Sequence, residues 1–199
     1  MGASKLLGER LVIAANNIVG SASSRFSLVR FGNILNSSGS VVEIFREQIA
    51  RGRPLVISSL EMTRFFLTNS DAVNLCLYAA ENMAGGEIFV QNMRVFRLQD
   101  LVKAMAPDRL PSDHIIQGPK VGEKLFEELL SEHEKNRAYK LPQSVIVLPE
   151  ICDYLPEESK RKHKMISKFP KLSQPLKSND FDFIQAEELR HILENIENE

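Results

Sequence analysis

The 199-residue chain contains no tryptophan and only two cysteines, Cys76 and Cys152, far apart and outside any CxxC or Cys/His spacing. Neither a disulfide framework nor a zinc site is indicated, and a reducing, cytoplasmic compartment fits best. The four histidines, His114, His133, His163 and His191, are scattered without HExxH or other ligand spacing, so no metal site is expected. No apolar run approaches the ~20 residues that a bilayer span requires, and the first residues lack the apolar core of a signal peptide. GxSxG, P-loop and GxGxxG patterns are absent as well. Charge of one sign is also lacking: 25 Lys and Arg face 26 Asp and Glu, a net charge of -1, which leaves no global attraction for nucleic acid. "MGASKL" falls short of an N-myristoylation signal because Leu6 stands where Ser or Thr is needed.

What is present is the make-up of a soluble globular protein, with 43% hydrophobic and 26% charged side chains over a length that can bury a real core. Helical spacing starts at the first residues, where Leu6, Leu7, Leu11, Val12 and Ala15 form an apolar stripe with no strand in front of it. "FSLVRF" reads as a short buried strand and "GNILNSSGS" as a polar loop, followed by the helix "SVVEIFREQIARG", capped by Ser40 and stopped near Gly52. "PLVIS", "TRFFLT", "EIFVQN" and "DHIIQG" read as strands; "SDAVNLCLYAAENMAGG" and "RLQDLVKAMA" read as helices. "VGEKLFEELLSE" reads as a further helix with Leu125, Phe126, Leu129 and Leu130 clustered for burial. This alternation predicts an α/β fold whose strands are covered by crossover helices. From about Asn136 the pattern loosens, which predicts a boundary within 135–155; "SKRKHK" reads as a solvated linker before a last amphipathic helix, "QAEELRHILENI".

The residues able to carry chemistry form a distributed polar set: Lys5 on the first helix, Asn33, Ser37 and Ser40 after the first strand, Arg64 in "EMTRFF", and Lys120, Glu123 and Lys124 in "GPKVGEK". Several stand where strands give way to loops, the place at which open α/β sheets hold ligands. Arg, Lys and Asn together suit a phosphorylated or carboxylated ligand. Singly, each has a plainer reading: Asn33 as a turn residue, Arg64 as a strand-edge charge, Lys120 as part of a solvated loop.

Five stretches in order change that balance: "MGASKLLGE", "LVRFGNILNSSGSVVEIFREQIARGRPL", "EMTRFFLTNSDAVNLCL", "GGEIFV" and "GPKVGEKLFEELLSE". Through them the chain resembles the later part of extended short-chain dehydrogenase/reductase enzymes acting on nucleotide sugars, in the polysaccharide-biosynthesis group of UDP-N-acetylglucosamine 4,6-dehydratases. The resemblance implies a partial Rossmann-like parallel sheet with a small substrate-binding α/β region over residues 1–150. A linker and a C-terminal helical appendage would follow over 151–199, and the nucleotide-binding units that precede this part in the family would be missing. It further implies a lyase that oxidises a UDP-N-acetylhexosamine at C4 through bound NAD or NADP, eliminates water across C5 and C6 and returns the hydride, in some members with C5 epimerisation. On this reading the chain alone is incomplete and inactive, the cofactor needs the missing part, and a homo-oligomer stays open. Met1 stands at the tyrosine of the family's YxxxK pattern and cannot act as acid or base, while Lys5 stands at its lysine and would hold the nicotinamide ribose. Asn33, Ser37 and Ser40 match the segment that meets diphosphate and sugar, Arg64 a phosphate-contacting arginine, and Lys120 and Glu123 the turn that closes over the nucleotide.

Two departures are visible. Asn36 and Ser38 replace a glycine and an arginine of the usual loop, and Lys120 and Val121 replace Arg and Pro of the closing turn. A bidentate phosphate contact thereby becomes a point-charge one, at a loss of about 1 to 3 kcal/mol for each charge-assisted bond. The same departures suit the alternative reading, a non-catalytic remnant of the family that binds a nucleotide sugar or a partner subunit.

Overall fold

In the computed structural model, which describes residues 2–19, 24–37 and 39–197, helices and strands alternate. The first half runs through α1 (Gly2–Val19), β1 (Leu28–Arg30), β2 (Asn33–Ile34), α2 (Val41–Ala50), β3 (Leu55–Ile57), β4 (Thr63–Leu67), α3 (Asn69–Asn82) and β5 (Ile88–Gln91). The second continues through β6 (Arg94–Arg97), α4 (Leu98–Met105), β7 (His114–Ile116), β8 (Glu128–Leu130), α5 (Glu132–Lys135), β9 (Ala138–Lys140), β10 (Ser144–Val147), α6 (Glu157–Ile166), β11 (Leu176–Lys177) and α7 (Ala186–Glu197). The class is α/β, with parallel pairings that fit a partial Rossmann-like fold. Among the described residues, no helix is long and apolar enough to cross a membrane.

These elements gather into two compact units, the first made of Met1–Arg30, Val73–Asn92 and Leu129–Leu176 and the second of Phe31–Ala72, Met93–Glu128 and Lys177–Glu199. In the first, β1 lies parallel to β5, and β10 runs antiparallel to both β5 and β9. Continuous apolar runs bury β5 and β10, as expected of strands covered on both faces. The α1 helix is tied to this sheet by polar side chains. Buried Asn16 donates to the Phe26 carbonyl (2.9 Å) and accepts from the Phe26 amide (3.0 Å), copying a strand-to-strand bridge. The apolar stripe of α1 divides: Val12 and Ala15 are half-buried, whereas Leu6, Leu7 and Leu11 are exposed within this chain.

The basic stretch expected to be a linker is helical, and this corrects the sequence reading. Residues 159–164 lie inside α6, with acidic residues in its first turn and His163 and Lys164 in its last, matching the helix dipole. Its inward face is polar, so no apolar periodicity announces it. Ser159 donates to the Ala84 carbonyl at 2.7 Å, and His163 pairs through Nε2 with buried Glu87 at 2.8 Å. Ser159→Ala should lower stability by about 1–2 kcal/mol, since it orphans a buried carbonyl, whereas Lys162→Ala on the exposed face should stay within about 0.5 kcal/mol. Urea midpoints of the two variants check this; equal midpoints would remove the buried role of Ser159.

In the second unit, β4 is flanked by β2 (parallel) and β6 (antiparallel), and β3 pairs in parallel with β7. Leu35, Val42, Phe45, Leu55, Ile57, Phe66, Phe96 and Leu101 form its core, closed by Leu189 and Leu193 of α7. Three departures from the sequence reading fall here. Asn33 and Ile34 open the polar loop as a short strand, and β6 was not foreseen. The segment 121–127 is not helical: it turns at Gly122 and bends at Leu125 and Phe126 before entering β8, leaving those two side chains exposed. The Leu125 carbonyl accepts from the Thr63 amide at 2.9 Å, and Arg64 takes the Lys124 carbonyl at 2.9 Å. Carbonyls captured sideways in this way are lost to an i to i+4 ladder.

Candidate functional site

A cavity of about 390 Å³ opens within the second unit, at the low end of the usual range for small-molecule sites. Its floor is apolar, built from Leu35, Val42, Phe45, Ile57, Met62 and Phe96. Its polar rim holds Asn33, Ser37, Ser40, Arg64 and Glu123, so five residues singled out from sequence meet here although they span 91 positions, from 33 to 123.

The rim is built by local chemistry. After β2 the chain turns through Asn36 (φ 62°) and Gly39 (φ 74°), left-handed positions that bring Ser40 to the cap of α2. The Ser40 Oγ accepts from the Glu43 amide, and the Gly39 amide donates to the Glu43 carboxylate. Val41 and Val42, first residues of α2, line the cavity, so the positive end of the helix dipole faces it. On the other side, Gly122 (φ 83°) allows a tight turn in which the Glu123 carboxylate accepts from the Lys120 amide at 2.9 Å. Lys120 itself does not line the cavity; its side chain is exposed.

Arg64 is half-buried and spends its donors on the protein: the Thr63, Leu125 and Lys124 carbonyls at 2.8, 3.2 and 2.9 Å, with Glu127 3.7 Å from Nε. It thus holds the 123–127 segment against the cavity rim. Glu127 was not singled out from sequence, where it is one of several acids in "EKLFEELLSE". Burial pushes its carboxyl above the ordinary range, against the opposing pull of Arg64, the Phe65 amide and Asn33. A perturbed carboxyl beside a cavity is a functional candidate.

Lys5 lies in the first unit, exposed on α1. Met1 and Ser38 fall outside the described residues. A second cluster in the first unit mimics a nucleophile relay: Cys152 Sγ stands 3.8 Å from His163 Nδ1, whose Nε2 meets Glu87. Burial, together with the charges of Asp153 and Glu87, pushes the Cys152 thiol up, which keeps it protonated and poorly nucleophilic. The cluster reads as structural: Glu87 also accepts from Ser27 and from the Ala84 and Gly85 amides. Among the described residues, no group of three or more His, Cys, Asp or Glu could hold a metal ion.

Comparison with known proteins adds the following. The profile of a family described as "Polysaccharide biosynthesis protein" matches residues 1–149. A Methanocaldococcus jannaschii protein called an uncharacterized membrane protein is 36% identical over 98% of this chain and 57% of its own length. A UDP-N-acetylglucosamine 4,6-dehydratase (inverting) of Campylobacter jejuni is 38% identical over 75% of this chain and 44% of its own. The crystal structure of Pen from Bacillus thuringiensis superposes with a TM-score of 0.84 at 31% identity, covering 98% of this chain and 57% of that one. The chain spans about half the length of the curated relatives it matches.

Proposed function

The chain belongs to the polysaccharide biosynthesis protein family, and on that premise we propose that it supplies the substrate-binding portion of an enzyme modifying a nucleotide sugar, a UDP-N-acetylhexosamine 4,6-dehydratase. The observation that carries the reading is the convergence of Asn33, Ser37, Ser40, Arg64 and Glu123 on one cavity, all within the residues the family covers. The dehydratase name of the Campylobacter relative supports the reaction class. Residues 151–199 lie beyond the family match, and instead of the expected linker and appendage their helices are built into the two units: α6 bonds Ala84 and Glu87 in the first, and α7 closes the core of the second.

Each part of the rim has a task in the proposal. The start of α2, with Ser37 and Ser40, receives a diphosphate by backbone amides, hydroxyls and helix dipole. Glu123 accepts hydrogen bonds from ribose hydroxyls, and Asn33 meets the sugar. Arg64 adds positive charge near the diphosphate and keeps the closing segment in place, while Lys120 contributes a diffuse charge from outside. The apolar floor excludes water around the bound sugar. NAD or NADP supplies the hydride chemistry of the family when bound, and Lys5 would meet its ribose. Among the described residues Lys5 is the one that fits this cofactor, and no glycine-rich phosphate turn accompanies it.

Thermal unfolding with UDP-N-acetylglucosamine tests the proposal. A ligand at 100 times its dissociation constant stabilises by about 2.7 kcal/mol, a Tm rise of several degrees. N-acetylglucosamine alone should give no rise. A well-folded sample whose Tm is unmoved by millimolar UDP-N-acetylglucosamine would sink the reading.

A further inference from the structure

We infer that Glu127 is a positioning residue that fixes the Asn33 amide with its nitrogen turned to the Glu127 carboxylate, so that the cavity is offered the carbonyl oxygen and selects a hydrogen-bond donor of the sugar over a phosphate oxygen. This rests on the nucleotide-sugar reading above and goes beyond it by giving one subsite a polarity. Asn33 lines the cavity from β2, and its Nδ2 donates to Glu127 Oε1 at 3.2 Å. The second carboxylate oxygen accepts from the Phe65 amide at 3.2 Å, so the group is gripped at both oxygens. Its backbone is pinned as well. The Glu127 amide donates to the Ser178 Oγ at 2.9 Å, the Ser178 amide returns a bond to the Glu127 carbonyl at 2.9 Å, and the Ser178 hydroxyl is held by Thr63.

A carboxylate only accepts, so the amide can face it in one sense alone. The flipped amide would set its oxygen against an anion. With the nitrogen committed, the oxygen end of Asn33 points away from Glu127, and it suits a sugar hydroxyl or an acetamido N–H. The anion behind it further disfavours a phosphate at this spot. Arg64 is the charged neighbour of Glu127, 3.7 Å away, and it balances the carboxylate without competing for Asn33. Protonation of Glu127 would turn an acceptor into a donor and release the amide to invert.

The test is calorimetric titration of the 199-residue chain with two probes, UDP-N-acetylglucosamine and UDP. Glu127→Gln should weaken UDP-N-acetylglucosamine about tenfold, the worth of one oriented hydrogen bond, and leave UDP within about twofold. Asn33→Ala, at an exposed residue whose loss spares the core, should give the same split and covers the case in which the Glu127 variant fails to fold. A pH series supplies a readout that a merely structural role would not move. Wild-type affinity for the sugar nucleotide should fall on acidification earlier than an ordinary carboxylate would dictate, and Glu127→Gln should be flat. Equal weakening of both probes in either variant, or identical pH profiles, overturns the inference while leaving the function standing. If the wild type binds neither probe, the functional reading falls and the inference with it.

Discussion

Gly32→Ala should abolish cooperative folding of the second unit, seen as loss of its unfolding transition and of sugar-nucleotide binding. Gly32 sits between β1 and β2, where a Cβ built on its backbone would lie 2.4 Å from the Phe65 carbonyl oxygen and 2.5 Å from the Phe65 Cβ. Both atoms belong to β4, or hang directly from it, so no flexible side-chain end can yield. The neighbouring residue, Asn33, pairs in parallel with Phe66, and the Gly32 amide donates to Met93 Sδ at 3.0 Å. A methyl group there must push β2 off β4, at a cost of at least about 3 kcal/mol. That displacement also moves Asn33 off the cavity. Gly8→Ala is the contrasting variant: in α1, with nothing within 4 Å of its added Cβ, it should stabilise by about 0.5–1 kcal/mol. A Gly32→Ala protein with the wild-type urea midpoint would refute the close packing of β2 on β4.

Arg30→Met, in the first unit, should cost about 3–5 kcal/mol through loss of charge pairing rather than of volume. The guanidinium is mostly buried and binds both oxygens of Glu9 (2.9 and 2.6 Å), Glu134 (2.8 Å) and the Leu129 carbonyl (2.9 Å). Methionine fills similar space but leaves the half-buried Glu9 and buried Glu134 carboxylates without the guanidinium that hydrogen-bonds both of them. Burial alone would raise the Glu134 carboxyl, yet hydrogen bonds from Arg30 and the Ser131 amide outweigh it and hold the group at about 2. A folded-state value below the unfolded one means stability that is present above about pH 4.5 and lost as pH falls toward 2. In Arg30→Met the Arg30 share of that contribution is gone while the Ser131 share stays, so the gap between the two urea midpoints should narrow on acidification across this window. Arg30→Met/Glu134→Gln should recover part of the loss at pH 7. A gap that stays constant from pH 7 to 2.5 would assign the effect to packing instead.

Elements with a strong local signal are legible in the amino-acid sequence itself. The α2 helix has a serine cap, a regular apolar face and a glycine just past its end, and it forms where these predict. The family was legible too, since its stretches recur in order along the chain. The misread segments share a cause. Apolar residues at 125, 126, 129 and 130 satisfy a helical pattern, but Thr63 and Arg64, some sixty residues earlier, claim the carbonyls that a helix would need. In α6 the buried face is Ser159 and His163, so the period is carried by polar side chains that a hydrophobicity reading passes over. Glu127 was passed over for a related reason. An acid among acids has no distinguishing spacing, and its importance comes from its partners at positions 33, 64 and 65.

The amino-acid sequence by itself determined the class of fold, most helices, five of the eleven described strands, and the polar residues from which the site is assembled, because these depend on periodicity, caps and side-chain chemistry over short spans. Only the tertiary structure decided which of those residues share a cavity, which way the Asn33 amide faces, and that 121–127 forgoes a helix. Those outcomes hang on hydrogen bonds between positions tens of residues apart, where the cost of an unpaired buried polar group outweighs any local preference.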